Sequence, residues 1–123
     1  MSLFIFFKNL LSRFKSSDTN AKDVFDHYFF DLKYYLNKDA SVEQFAHLLN
    51  YKSEKLDRIA ITYYGNEFDL LINEYRYKHF LREFESPYNK DLSIESVIKF
   101  SGFDSNENFV EYVKEIQEKS NKH

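Results

Sequence analysis

The groups that could do chemistry in this chain are few and scattered. Its four histidines are His27, His47, His79 and His123, and none is set with another His, Asp or Glu in HExxH spacing, so no metal site is expected. There is no cysteine, which removes disulfides, iron–sulfur clusters, cysteine zinc sites and a thiol nucleophile. The two glycines, Gly65 and Gly102, are too far apart in sequence to form a Walker, GxGxxG or GxSxG loop. An enzyme would have to rest on Asp, Glu, Ser and His residues of the kind any surface offers, so no catalytic residue and no cofactor are expected. What remains is charge. Segment 41–65 sets Lys52, Lys55 and Arg58 against Glu43, Glu54 and Asp57. Segment 91–123 sets four lysines against seven acids, a net of −3. Tyr63, Tyr64, Tyr75 and Tyr77 have rings that stack on bases in single-stranded nucleic acid. At helical spacing, however, they read as core and core edge.

The elements that must position these groups follow from composition. The 123 residues suit one domain, 43% hydrophobic and 30% charged. Fourteen Phe and ten Tyr let a short chain bury a sizeable core. Two Gly and one Pro leave little for all-β turns and favour an all-α fold. The net charge of −3 opposes a generally basic nucleic-acid coat but leaves local patches open.

Residues 1–20 read as an amphipathic helix followed by a polar break, Ser16 to Asn20. Leu3, Phe4, Phe7, Leu10, Leu11 and Phe14 keep helical spacing, with Lys8, Arg13 and Lys15 elsewhere. The apolar run LFIFF is far short of the roughly 20 residues a spanning helix needs. No long apolar stretch precedes a small-residue cleavage site, so a secretory signal is not expected and a cytoplasmic protein is. The face carrying Leu3 and Phe4 is expected to cover a groove on its own domain, a second copy or a partner protein. A membrane surface is the disfavoured competitor.

The remaining segment, 21–123, parses into helices. A periodic stretch over 21–36 places Val24, Phe25, Tyr28, Phe29, Leu32, Tyr35 and Leu36 on one side. Ser41 with Gln44 forms a capping-box pattern ahead of Phe45, Leu48 and Leu49. After a turn at Asn50–Lys52, the next helix carries Leu56, Ile59, Ala60 and Tyr63 and stops at Gly65. Asn66 with Asp69 reads as the cap of a long helix over 67–84 bearing Phe68, Leu71, Ile72, Tyr75, His79, Phe80 and Phe84. Ser93 opens a short helix with Ile94, Val97 and Ile98, ended by Gly102. Asp104 with Glu107 starts the last helix, which carries Phe109, Tyr112, Val113 and Ile116, and the tail KSNKH is expected to fray. Two pairs, each short helix, tight turn, helix, thus sit on one long helix, and helix–turn–helix is the economical name for each. A rod of 18 residues spans about 27 Å, close to the roughly 34 Å between adjacent major-groove segments.

Residues 41–115 resemble the DNA-binding domain of the AraC/XylS family of bacterial transcription regulators. The first unit, SVEQFAHLLNYKSEKLDRIAITYYG, is similar to the family's first unit in Ala46, Leu49, Leu56, Arg58 and Gly65. Arg76 falls eleven residues after Gly65, where the family's linker helix carries its arginine. The second unit, DLSIESVIKFSGFDSNENFVEYVKE, is similar in Ile94, Val97, Gly102–Phe103, Phe109 and Lys114. This chain departs from the family at Asn50, which replaces a glycine and tolerates the same left-handed backbone, and at Ala60, which replaces an aromatic residue. It also departs at Glu111, where a basic residue is usual, and in the long connection SPYNKDLS.

The resemblance implies two helix–turn–helix units, 41–65 and 93–117, joined by the linker helix 67–84 and preceded by two extra helices. It implies a sequence-specific regulator of transcription whose partner is double-stranded DNA, read in adjacent major-groove segments. The residues offered to the duplex are Lys52, Ser53, Glu54, Lys55, Asp57, Arg58 and Thr62 in the first unit. In the second they are Ser105, Asn106, Glu107, Asn108 and Lys114. Arg76 is expected to hold the linker helix to a neighbouring unit. Phosphate contacts supply most non-specific affinity, so the acidic second unit leaves an alternative. In it, a degenerate double unit serves protein interaction or dimerisation with weak or no DNA binding.

Overall fold

Phenylalanine decides where this chain packs. The computed structural model describes residues 18–121. Six α-helices follow in order: α1 (Asp18–Asp26), α2 (Val42–Leu49), α3 (Ser53–Tyr64), α4 (Phe68–Glu85), α5 (Ile94–Phe100) and α6 (Asn106–Asn121). No strand occurs among the described residues, so the fold class is all-α. The helix expected over residues 3–14 lies outside the described residues.

The larger core is built around Phe25, Phe29, Phe45 and Phe68, all wholly shielded from solvent. Phe25 meets Phe45 and Phe68 edge-on, with ring centroids 5.5 and 5.7 Å away, the offset geometry that aromatic quadrupoles favour. Leu49, Leu56, Leu71 and Ile72 close the same cluster. The smaller core joins Phe80 of α4 to Val97 and Ile98 of α5 and to Phe103 and Phe109. Helix α4 therefore contributes to both, Phe68 to Ile72 in one and Phe80 in the other.

The first helix is shorter and more irregular than its periodicity suggests. It starts at Asp18, within the stretch expected to be a polar break, where an acidic residue suits the positive end of the helix dipole. It then widens into a π-turn over His27–Asp31, where the Leu32 amide donates to the His27 carbonyl at 2.9 Å. Lys33 takes a left-handed backbone, φ 54°. A regular helix would align Leu32 with Phe25 and Phe29. The widened turn instead leaves Leu32 54% exposed and swings Tyr34 and Tyr35 into the core as a 3-10 turn over Tyr34–Leu36.

That redirection supplies the start of α2. Ser41 Oγ accepts from the Gln44 amide at 3.1 Å, as the capping-box pattern predicts. The Gln44 side chain does not complete the box. Its Oε1 accepts from the Tyr34 hydroxyl at 2.7 Å, and the Ser41 amide donates to the same hydroxyl at 3.2 Å. Asn50 ends α2 with φ 58°, the left-handed conformation expected of it. Gly65 ends α3 at φ 83°.

Helix α4 begins without the expected Asn66 cap. The Phe68 amide donates instead to Asp57 Oδ1 of α3 at 3.0 Å, and Asp69 accepts from the Val42 amide of α2 at 3.2 Å. Asn66 Nδ2 donates to Glu74 Oε1. Each carboxylate thus caps a helix other than its own, a tertiary version of the N-cap. Burial raises the Asp69 carboxyl above its ordinary range, against the pull of the Val42 amide.

Three further boundaries matter. Ser93 caps α5 by accepting from the Ser96 amide, as expected. The cap of α6 is Ser105, whose Oγ accepts from the Asn108 amide at 3.1 Å, rather than Asp104. The last helix continues to Asn121, past the point where fraying was expected.

Behind α5 lies a buried polar pair. His79 Nδ1 and Ser101 Oγ are 2.9 Å apart, with His79 6% exposed and Ser101 fully enclosed. Burial lowers the His79 pKa below its ordinary value, although Glu83 opposes this. The folded state therefore favours the neutral ring. The stability this contributes is complete above the unfolded-state pKa of about 6.5 and is lost as pH falls below it toward the folded value. Urea midpoints should fall on acidification from neutral pH, and His79→Gln should flatten that dependence. An equal fall in the variant would assign the effect elsewhere.

Candidate nucleic-acid interface

Helix α3 presents its polar residues by simple periodicity. Leu56, Ile59 and Ala60 are buried, which leaves Glu54, Arg58, Ile61 and Thr62 projecting outward. Lys52 is the exposed N-cap residue, and Ser53 is half-buried beside it. Lys55 is half-buried, its Nζ 4.8 Å from the centre of the Tyr51 ring, a distance at which the ring face attracts the cation. Lys55, Arg58 and Thr62 share one shallow depression with Ile59 and Tyr63. These three candidates, three and four residues apart, occupy a single helix face.

Asp57 does not belong to that face. It is half-buried and committed to the Phe68 amide. Of the residues expected to face the duplex in the first unit, Asp57 is thus set apart from Lys55, Arg58 and Thr62. Ile61, which the sequence pattern does not single out, joins the outer face, and so does Tyr63, which was expected on the apolar side at the core edge. Ile61 is 51% exposed and Tyr63 is 45% exposed. Ile61 lies off the buried stripe, three residues after Arg58, and that offset is the signal that marks it. An apolar side chain at such a place can meet a thymine methyl.

The second candidate set is divided. Ser105 is spent on capping α6. Asn106, Glu107 and Lys114 are exposed. Lys114 lies seven and three residues after Glu107 and Glu111 and four before Glu118, so three exposed carboxylates share its face. Asn108 is turned toward a polar depression that includes Asn73, Arg76, Asp104 and Glu115. The structure therefore does not gather Asn108 with Glu107 and Lys114.

Arg76 plays a positional part. It is 8% exposed. Its Nε donates to the Tyr35 carbonyl and its Nη2 to the Asn37 carbonyl, both at 2.7 Å. Helix α4 is thereby tied to the loop that precedes α2. Burial lowers the pKa of the guanidinium, with Asp104 acting in the opposite direction. Gly102, at φ 98°, packs against the same joint: a Cβ there would lie 2.8 Å from the Tyr35 oxygen and 2.9 Å from Arg76 Nε. Phe103 and Phe109 are buried.

Among the described residues, no group of three or more His, Cys, Asp or Glu side chains is placed to hold a metal ion. No described helix is long and apolar enough to cross a membrane. Tyr64, Tyr75 and Tyr77 are half-buried at the core edges. The Tyr64 hydroxyl donates to Asp26, and burial together with that carboxylate pushes its pKa up to about 12. No protein-family model, no curated protein and no solved structure matches this chain.

Proposed function

We propose that this protein binds double-stranded DNA as a transcription regulator of AraC type and engages the duplex chiefly through α3. The observation that carries this reading is the outer face of α3, where Arg58, Thr62 and the half-buried Lys55 project from a helix fixed on its opposite side by Leu56, Ile59 and Ala60. A helix held in that way keeps its face rigid, which base reading in the major groove needs. Helix α2, joined to α3 by the turn Asn50–Lys52, would cross the backbone. Helix α4 would space this unit from the α5–α6 pair. Lys52, Lys55 and Arg58 supply the phosphate contacts; Glu54, Ile61 and Thr62 are placed for base edges.

Titration of a random duplex pool at several salt concentrations tests this reading. Replacing Arg58 and Lys55 by alanine is expected to weaken binding and to lower the salt slope by about one for each phosphate that is no longer neutralised. Unchanged affinity and slope would remove these residues from the interface.

A second reading, a protein-interaction module on the same scaffold, draws on one observation. Lys114 is flanked by Glu107, Glu111 and Glu118, so the exposed face of α6 repels a phosphate backbone. Absence of duplex binding even at low salt would leave this reading in place of the first.

A further inference from the structure

A polar depression of about 160 Å³ lies between α4 and α6. Asn73 and Arg76, one turn apart on α4, line one side of it, and Asn108, Glu111 and Glu115 of α6 line the other. The α6 residues are three and four positions apart and so share one helix face. With Asp104, which precedes that helix, the lining sets one guanidinium against three carboxylates, a net of −2.

The guanidinium is the unusual member. Arg76 is 8% exposed and forms no ion pair among the described residues. Its Nε and Nη2 are taken by the Tyr35 and Asn37 carbonyls. Its Nη1 makes no hydrogen bond among the described residues, and no fully enclosed side-chain nitrogen there lacks a partner, so Nη1 is open to the depression. An arginine nitrogen is a donor only, and a shielded one is best met by a charged acceptor. The side-chain amides of Asn73 and Asn108 are likewise uncommitted among the described residues. Of the three carboxylates, Asp104 is the one that steadies the Arg76 charge. Glu111 and Glu115 are left exposed and without an ion pair among the described residues.

These groups select a ligand by charge. Three carboxylates repel a simple anion. The described acids are not placed to share a metal ion. What fits is an organic molecule carrying both signs, with positive charge in excess. The volume is roughly that of five waters at about 30 Å³ each, the size of an amino-carboxylate head. We infer that this depression binds a basic α-amino acid, its carboxylate on Arg76 Nη1 and the amides of Asn73 and Asn108, its cationic groups on Glu111 and Glu115. Such a ligand ties α4 to α6 and stabilises the folded chain by mass action. The inference does not depend on the duplex reading of α3.

Titration of the full chain with L-lysine tests the site, read by calorimetry and by the side-chain amide NMR signals of Asn73 and Asn108. Saturation is expected by about 10 mM, with both amide signals shifting. Cadaverine lacks the carboxylate and L-glutamate lacks the second cation, and each is expected to bind at least about tenfold more weakly. Glu111→Gln with Glu115→Gln should weaken L-lysine by a similar factor. Both positions are exposed, so the fold is kept. Glu95→Gln with Glu118→Gln removes the same charge outside the depression and should leave the affinity unchanged. No saturation by L-lysine, or equal losses in the two double variants, would overturn the inference. Cadaverine binding as tightly as L-lysine would overturn it too, because the site would then hold a plain cation without Arg76.

Discussion

Gly102→Ala is expected to lower the free energy of unfolding by about 4 kcal/mol, from a strained backbone costing roughly 1–3 kcal/mol and overpacking of similar size. Both causes sit at one position. The backbone has φ 98°, and a Cβ would lie 2.8 Å from the Tyr35 carbonyl oxygen, 2.9 Å from Arg76 Nε and 3.1 Å from Leu36 Cα. Two of these three neighbours are backbone atoms. The third is a guanidinium nitrogen held by its own hydrogen bond to that carbonyl. None can swing aside as the tip of a surface lysine would. Gly65→Ala is the matched control. Gly65 also has positive φ, but nothing lies within 4 Å of its added Cβ, so only the left-handed penalty of about 1–2 kcal/mol applies. Urea unfolding of the two variants should separate them by about 2–3 kcal/mol, the overpacking share. Equal losses would mean that the joint of Tyr35, Arg76 and Gly102 is not tightly closed.

Phe109→Ala carries the second large effect, about 3–5 kcal/mol for removing a buried aromatic side chain. Its ring centroid lies 4.5 Å from that of Phe80 and 5.2 Å from that of Phe103. The smaller core has only five buried members, so few neighbouring side chains can move in to refill the space. The loss should fall on α5 and α6 first. Amide exchange is expected to accelerate across Ile94–Asn121 while Phe25, Phe29 and Phe45 keep their protection. Uniform acceleration over the whole chain would show that the two cores unfold as one unit.

Much of the helical order was legible because the apolar residues recur at 3.6-residue spacing. Leu56, Ile59, Ala60, Leu71, Ile72, Val97 and Phe109 lie where that period places them. Ser41, Ser93, Asn50, Gly65 and Gly102 mark boundaries by short-range chemistry that needs no tertiary partner. What escaped was tertiary. The π-turn at His27–Asp31 inverts the roles of Leu32 and Tyr34, and the reason is that Tyr34 finds Ser41 and Gln44, residues the local pattern does not associate with it. The same holds for Asp57 and Asp69, acidic residues on helices whose partners, Phe68 and Val42, are 11 and 27 positions away. At the candidate interface, Arg58 and Thr62 were legible because they fall opposite the buried stripe. The bond from Asp57 to the Phe68 amide was not legible, because a charged residue near that face reads as solvated until its amide partner is known.

The division of α4 between two cores bears on the order in which the chain acquires structure during synthesis. Every buried member of the larger cluster lies between Ala21 and Ile72, so that cluster is complete in the nascent chain before α5 has been made. Chains fold unit by unit during synthesis, the amino-terminal unit first, and the larger core would be the first unit here. The first half of α4 is then already docked by Phe68, Leu71 and Ile72, and its second half extends as an unfinished template that exposes Phe80. Helices α5 and α6 have only to close on a helix whose register is set. A released fragment ending at residue 85 would hold all of the larger core's buried residues beside an open, aggregation-prone half-helix that exposes Phe80.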